Sequence, residues 1–133
     1  MSAYFIETSC IIAYVNGNQK VIAKVDSLEG ELTSSFICLA ELYEGIYRVK
    51  ESEQAEKVIL DFFKGLSEIY GVDEEIAKNF GEIRAELKNK GKIIEDFDIL
   101  LAATCIVNNL TLVTGNPKHF KRIPNLKVLA INP

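Results

Sequence analysis

The sequence predicts an α/β fold, in which a central, mostly parallel sheet of four to five strands is covered by helices on both faces. Short apolar runs alternate along the chain with longer segments of helical periodicity. Helical segments also fill the connections between successive strands, as parallel strands require. At 133 residues, of which 48% are hydrophobic, the chain is long enough to bury a core and fits one domain spanning residues 1–133.

The predicted strands are short apolar runs bounded by polar residues or turns. The first, "YFI", stops at Glu7, Thr8 and Ser9, and the fourth lies between "NN" and "TGN". The five predicted strands cover residues 4–6, 31–34, 67–72, 110–113 and 126–131.

The predicted helices carry apolar residues at three- and four-residue spacing. They cover residues 10–16, 18–28, a segment that begins near position 36, 51–63, 73–91, 96–108 and a short turn opened by Pro117. Asn18, Ser34 or Ser35, and Asp73 are the predicted N-caps, because their side-chain oxygens can accept from the free amides of a first turn.

The helix that begins near position 36 is apolar over most of its surface. One predicted apolar face consists of Phe36, Leu39, Ala40, Tyr43, Ile46 and Tyr47, and Cys38, Leu42 and Val49 extend this apolar surface round the side. Only a narrow polar strip remains, and it contains Glu41, Glu44 and Arg48.

The segment "EDFDILLAATC", residues 95–105, opens with three acids and continues as an almost entirely apolar helix. Such a helix is expected to be buried between other elements. Acids in a first turn interact favourably with the helix dipole, so a capping role is one interpretation of Asp96 or Asp98.

Composition excludes several classes of protein. There is no apolar run of about 18 residues that could span a bilayer and no signal-peptide pattern, so we expect a soluble, cytoplasmic protein. Cys10, Cys38 and Cys105 are widely spaced among apolar residues, which favours reduced core cysteines over a disulfide or metal site.

The net charge of −4 and the pI of about 5.1 argue against a protein that binds duplex nucleic acid through its overall field. One local basic patch is present, formed by Lys118, His119, Lys121 and Arg122. A solvated loop is the simpler explanation of this patch, and phosphate binding is the functional one.

Four residues with side-chain oxygens lie where apolar elements meet turns or in the polar strip of a helix: Glu7, Glu41, Asp98 and Asn116. Taken singly, each has a structural explanation, as a strand end, a solvated stripe, a helix cap or a turn residue. Together they match the preference of Mg²⁺ and Mn²⁺ for oxygen ligands. A cluster of acids is costly without a cation, because like charges raise each other's pKa.

Asp96 is two residues from Asp98, which places the two side chains about 200° apart on a regular helix. They cannot share a helix face. Asp98 is therefore the first choice as a ligand, and Asp96 approaches the same site only from a non-helical cap position.

The chain resembles the PIN-domain ribonucleases, and most closely the VapC-type toxins of toxin–antitoxin pairs. "FIETSCIIAYVNGN" is similar to the opening strand, acid, Thr-Ser and helix of that family, and "SSFICLAELYEGIYR" to the segment with its second acid. "IIEDFDILLAATCIVNNLTLVTGNPKHFKRIPNLKV" resembles the long C-terminal signature and is the most specific match.

The resemblance implies a PIN-like three-layer α/β/α domain and a Mg²⁺- or Mn²⁺-dependent endoribonuclease that cleaves single-stranded RNA. By position, Glu7, Glu41 and Asp98 would bind the metal, and Asn116 stands where many members have a further acid. Thr8 and Ser9 would assist through hydroxyl or backbone contacts. Thr114, Lys118 and Arg122 would help to position phosphates.

The clearest departure from the family is Glu7, because the family places Asp at the end of the first strand. Glutamate is one methylene longer, and a displacement of about 1 Å costs about 100-fold in rate at well-positioned sites. The alternative is thus a degenerate PIN domain that acts as a weak or inactive RNA- or protein-binding module. A phosphoacceptor receiver domain fits poorly, because it needs an acceptor Asp at the end of the third strand and "SEIYGV" offers none before Asp73, the predicted helix cap.

The resemblance also implies a small VapB-like antitoxin whose C-terminal segment lies in a groove over the acidic pocket, and a homodimer. Tyr14, Tyr43 and Tyr47 are candidates for aromatic groove surface, although their helical spacing is more typical of core residues.

Overall fold

The computed structural model describes residues 2–132. Its strands are β1 (Ala3–Ile6), β2 (Glu31–Ser35), β3 (Glu68–Tyr70), β4 (Thr111–Thr114) and β5 (Val128–Ala130). Its α-helices are α1 (Thr8–Val15), α2 (Gln19–Asp26), α3 (Phe36–Ile46), α4 (Ser52–Lys64), α5 (Glu74–Asn89) and α6 (Asp96–Val107), and a 3₁₀ helix covers Pro117–His119.

The five strands form one sheet in the order β3-β2-β1-β4-β5, and every neighbouring pair is parallel. Tyr4, in the central strand, pairs with Leu32 on one side and Thr111 on the other. The predicted parallel α/β/α architecture is confirmed. Because all strands run the same way, their carboxyl ends meet at one edge of the sheet, where ligands bind in such folds.

The helices form two groups around this sheet. Helix α1 packs against α2, α3 and α4, whereas α5 packs against α6. The central strands are buried on both faces, as expected for a parallel sheet: Phe5, Ile6, Leu112 and Val113 have no exposed surface.

Three predicted N-caps are confirmed by side-chain hydrogen bonds. Asn18 accepts from the amide of Val21, and Asp73 accepts from that of Ile76. Of the two serines proposed for α3, Ser35 is the cap.

The capping interpretation of Asp96 and Asp98 is wrong. The N-cap of α6 is Glu95, which makes no side-chain capping bond, and both aspartates lie inside the first turn. The carboxylate of Asp96 instead pairs with Arg84 of α5 at 2.9 Å.

The predicted apolar surface of α3 is buried only in part. The buried residues of α3 are Cys38, Leu42 and Ile46, while Phe36 and Tyr47 are 56% and 75% exposed. A helix that is apolar on nearly every side does not reveal from its sequence which side meets the sheet.

The three cysteines are buried and free, as predicted. Burial raises the pKa of both Cys10 and Cys38 to about 11, so these thiols stay protonated and unreactive. Within residues 2–132, no helix is long and apolar enough to cross a membrane.

Candidate active site

The candidate site lies at the carboxyl edge of the sheet. Glu7 follows β1 directly, Thr114 ends β4, and helices α3 and α6 start at this edge and carry Glu41 and Asp98. Elements far apart in the sequence therefore bring their polar residues to one end of the sheet.

Glu7 is the N-cap of α1, which begins two residues earlier than predicted. Its Oε2 accepts from the amide of Ser9 at 3.1 Å, and its Oε1 accepts from the hydroxyls of Ser9 and Thr114, both at 2.6 Å. The residue is only 8% exposed, so the interpretation as an exposed strand end is wrong. Three donors around one carboxylate offset the cost of its burial.

Glu41 lies half-buried on α3 and faces the start of α1. Its Oε1 accepts a 2.9 Å hydrogen bond from the hydroxyl of Thr8. Burial raises the pKa of Glu41, the bond from Thr8 lowers it, and the negative charges of Glu7 and Asp98 raise it further. The proximity of Glu7 and Asp98 is thus felt at this carboxyl group.

Asp98 lies in the first turn of α6 with 16% of its side chain exposed. Its Oδ2 lies 3.3 Å from Nδ1 of His119, the only histidine of the chain. Burial raises the pKa of Asp98, the His119 side chain opposes this shift, and the charges of Glu7 and Glu95 add to it. From the sequence, His119 is predictable only as part of a basic patch, because a lone histidine 21 positions from Asp98 gives no pairing signal.

The structure thus brings Glu7, Glu41 and Asp98 together electrostatically. Each keeps an oxygen able to accept further bonds: a carboxylate has about four lone-pair sites, and Glu7, the most engaged, uses three. Within residues 2–132, no three His, Cys, Asp or Glu side chains stand close enough to enclose a metal ion. Mg²⁺ keeps several waters and binds through one or two carboxylates, so the donor set fits a partly hydrated cation.

Three of the supporting residues proposed from the sequence are in this site. Thr8 holds Glu41, while Ser9 and Thr114 hold Glu7. A further bond joins the Ser9 hydroxyl to the amide of Gly115 at 2.9 Å, which fixes the turn after β4 to the start of α1.

The other proposed residues lie at its margin. Asp96 points to Arg84, about 200° round the helix from Asp98. Asn116 is exposed, and its backbone N–H donates to the Thr114 hydroxyl at 3.0 Å. Lys118 and Arg122 are exposed, and Arg122 reaches the carbonyl of Ile93 at 3.4 Å.

A groove of about 450 Å³ lies beside the site, between α1, α3 and α4. Glu41 stands among its lining residues, and the remainder are mostly aliphatic, including Ile12, Val15, Ile46 and Val58. The three tyrosines suggested for such a groove are absent from its lining among the described residues. Tyr14 hydrogen-bonds to Asp26 instead, and Tyr43 to Glu56.

Comparison with known families assigns the chain to one group of proteins. The sequence matches the PIN domain family over residues 4–126. The chain belongs to the PIN domain family. The resemblance to PIN-domain, VapC-type proteins predicted from sequence motifs is therefore confirmed.

Similar PIN-domain proteins cover almost the whole chain. Ribonuclease VapC2 of Rickettsia felis is 37% identical over 92% of this chain and 93% of its own length. Ribonuclease VapC1 of Methanocaldococcus jannaschii is 36% identical over 92% of this chain and 82% of its own length.

Solved structures show the same fold. A chain in the crystal structure of VapBC2 from Rickettsia felis, bound to a DNA fragment from the promoter, has a TM-score of 0.87 at 35% identity, covering 96% of this chain and 98% of the other. A chain of VapBC-1 from nontypeable Haemophilus influenzae has a TM-score of 0.85 at 28% identity, covering 96% and 97%.

Proposed function

We propose that this PIN domain is a Mg²⁺- or Mn²⁺-dependent endoribonuclease that cleaves single-stranded RNA, and that it is the toxin of a toxin–antitoxin pair. The observation that carries the proposal is the convergence of Glu7, Glu41 and Asp98 at the carboxyl edge of the sheet. Burial raises the pKa of both Glu41 and Asp98, and the negative charge of Glu7 adds to the rise at each of them. The similar proteins named Ribonuclease VapC support the same activity.

In this proposal Glu7, Glu41 and Asp98 are the catalytic residues, and their remaining oxygens would hold a partly hydrated cation, in part through its waters. When bound, such a cation supplies activation of water and stabilisation of charge on the phosphoryl and leaving oxygens. Thr8 fixes the Glu41 carboxylate, and Ser9 and Thr114 fix that of Glu7. Lys118 and Arg122 attract the RNA backbone, and Asn116 contributes only from the exposed rim.

Cleavage of an unstructured RNA by the purified protein tests this proposal. We expect cleavage with Mg²⁺ or Mn²⁺, none in EDTA, and a loss of at least about 100-fold in Asp98→Asn, as is usual when a positioned catalytic group is removed. Asp96→Asn is the matched control, because it changes the same helical turn at a residue that is paired with Arg84. Undiminished cleavage in EDTA, or in Asp98→Asn, would rule out the chemistry.

The partner in this proposal is a small VapB-like antitoxin. The similar solved structures are VapBC complexes. The aliphatic groove between α1, α3 and α4 fits an extended or helical segment with apolar side chains, and its end at Glu41 would let a cationic residue of that segment reach the acids. We propose in addition that the toxin acts in the cytoplasm and that it is a homodimer. Light scattering of the purified protein tests the dimer.

A catalytically weak or inactive binding module is the second candidate. The observation that favours it is that Glu7 accepts three hydrogen bonds, two from Ser9 and one from Thr114, which leave fewer lone pairs of its carboxylate for a cation. Glu7→Asp discriminates between the two. A large gain in Mn²⁺-dependent cleavage indicates a weakened enzyme, whereas no cleavage by either form, with RNA still bound, indicates a module.

A further inference from the structure

The first turn of α6 presents an exposed aromatic ring, Phe97, directly before Asp98 of the candidate site. Successive side chains of a helix are about 100° apart, so Phe97 projects midway between Asp96 and Asp98. Asp96 faces α5 through Arg84, and Asp98 faces the other acids and His119. Ile99, about 200° from Phe97, is 2% exposed, so Phe97 points away from the core and is 50% exposed.

Two arginines contact the chain close to Phe97 in sequence. Arg84 contacts Asp96, the residue before Phe97, at 2.9 Å with its side chain 41% exposed. Arg122 contacts the carbonyl of Ile93 at 3.4 Å, four positions before Phe97. Each of these contacts uses only part of a guanidinium group that carries five N–H donors, so both arginines keep donors for phosphate oxygens.

The neighbouring surface is otherwise acidic, because Glu95, Asp96 and Asp98 surround the ring in sequence. A purely apolar partner would leave the remaining N–H donors of both arginines without acceptors. A single strand of nucleic acid offers the complementary pair of groups, namely an unpaired base for the ring and phosphates for the arginines. Single-strand binding proteins combine aromatic stacking with a basic track in this way.

We propose that Phe97 is a substrate-positioning residue that stacks against an unpaired base of single-stranded RNA, with Arg84 and Arg122 holding the adjoining phosphates. This inference rests on the proposed function, since it places the RNA beside the acids. It adds the reason for single-strand preference: in a paired helix the base faces are stacked on one another and unavailable to a protein ring.

RNA affinity measured without metal tests the stacking, because no cleavage then interferes. The probe is a labelled, unstructured RNA of about ten nucleotides, read by fluorescence anisotropy in EDTA. Phe97→Leu is expected to raise Kd about tenfold, and Phe97→Trp to keep or lower it, because stacking requires a π face and not merely an apolar side chain. With an abasic strand of equal length, the three proteins are expected to bind alike.

Two sets of variants control this experiment. Tyr47→Leu removes another exposed ring and is expected to leave Kd unchanged. Tyr47 is 75% exposed and follows the C-terminal end of α3, whereas the site lies at the edge of the sheet where α3 begins. Arg84→Gln and Arg122→Gln are each expected to reduce the slope of log K against log salt by about 0.7, whereas Phe97→Leu leaves the slope unchanged. Circular dichroism and Tm confirm that each variant is folded.

The inference is overturned if Phe97→Leu binds RNA as tightly as the wild type, or loses affinity equally for the abasic strand. It is also overturned if Phe97→Leu alters the oligomer mass in light scattering without altering RNA affinity, which would assign the ring to contacts between copies of the chain. RNA binding that depends on Phe97, with no cleavage in the presence of any metal, would contradict the nuclease proposal and leave this inference standing. Metal-dependent cleavage with KM and Kd unchanged in Phe97→Leu would contradict this inference and leave the nuclease proposal standing.

Discussion

Thr114 donates a hydrogen bond of 2.6 Å from its hydroxyl to Oε1 of Glu7, across 107 positions of sequence. The bond joins the ends of the neighbouring strands β4 and β1 at a buried carboxylate. The same hydroxyl accepts from the amide of Asn116 at 3.0 Å, so one threonine organises both the acid and the turn beside it.

Thr114→Val is expected to lower the free energy of unfolding by about 1.5–3 kcal/mol, the range for a hydrogen bond to a charged group. Valine keeps the shape of threonine, so the loss reports the missing hydroxyl. Urea denaturation at neutral pH measures it. Thr111→Val, at the other end of β4 where the side chain is partly exposed to water, is the control. Equal losses in the two variants would show that the bond to Glu7 contributes nothing specific.

Removal of a site carboxylate is expected to weaken cation binding whether or not RNA is present. Glu41→Gln and Asp98→Asn should each lower the affinity for Mn²⁺ about tenfold or more, because each removes one oxygen anion from the set. Isothermal titration calorimetry measures this affinity without reference to activity. Asp96→Asn, whose carboxylate is occupied by Arg84, should bind Mn²⁺ like the wild type.

The contribution of Asp98 and Glu41 to the stability of the metal-free protein is expected to fall as pH rises through the acid range. Burial and neighbouring charges raise the pKa of Asp98 and Glu41 above their values in the unfolded chain. The folded state then binds more protons than the unfolded state, so these groups favour folding below their ordinary pKa and oppose it as pH rises through the raised values.

Denaturation curves between about pH 4 and about pH 7 check this expectation. The Asp98→Asn and Glu41→Gln variants should lose less stability over that interval than the wild type, and saturating Mn²⁺ should flatten the wild-type curve. A wild-type curve parallel to both variants would contradict the raised pKa values.

A charge placed in the aliphatic groove is expected to block the antitoxin while sparing cleavage. Ile12 is 44% exposed and lines the groove, so Ile12→Asp should weaken binding of the proposed VapB-like antitoxin by more than about 30-fold, the effect of a hot-spot residue. Val128→Asp, at a residue of similar exposure on β5, should bind it normally. Surface plasmon resonance distinguishes these results. Unchanged affinity in Ile12→Asp would move the docking surface elsewhere.

Local features of the fold were predictable because they depend on neighbours in the sequence. The caps at Asn18 and Asp73 and the alternation of strands with helices follow from short-range hydrogen bonding and periodicity. Boundaries shifted where tertiary contacts intervened. Helix α1 begins at Thr8 because Glu7 folds back to cap it, and this position is stabilised by Thr114 from the far end of the chain.

The side-chain partners in the site were not predictable from the same signals. The pairs Thr8–Glu41, Asp98–His119 and Asp96–Arg84 join residues on different elements, and no periodic pattern links them. The motif-based resemblance singled out the three acids, but it did not indicate that Asp96 would form an ion pair with Arg84 of α5.

The sequence by itself determined the alternation of elements, the parallel sheet and the oxygen-bearing residues available at its carboxyl edge, because hydrophobic period and chain connectivity leave few alternatives. Only the tertiary structure decided which side of α3 is buried, that Glu7 is enclosed by three hydrogen-bond donors, and that Phe97 is half exposed. Those outcomes depend on packing between distant segments, which composition and periodicity do not encode.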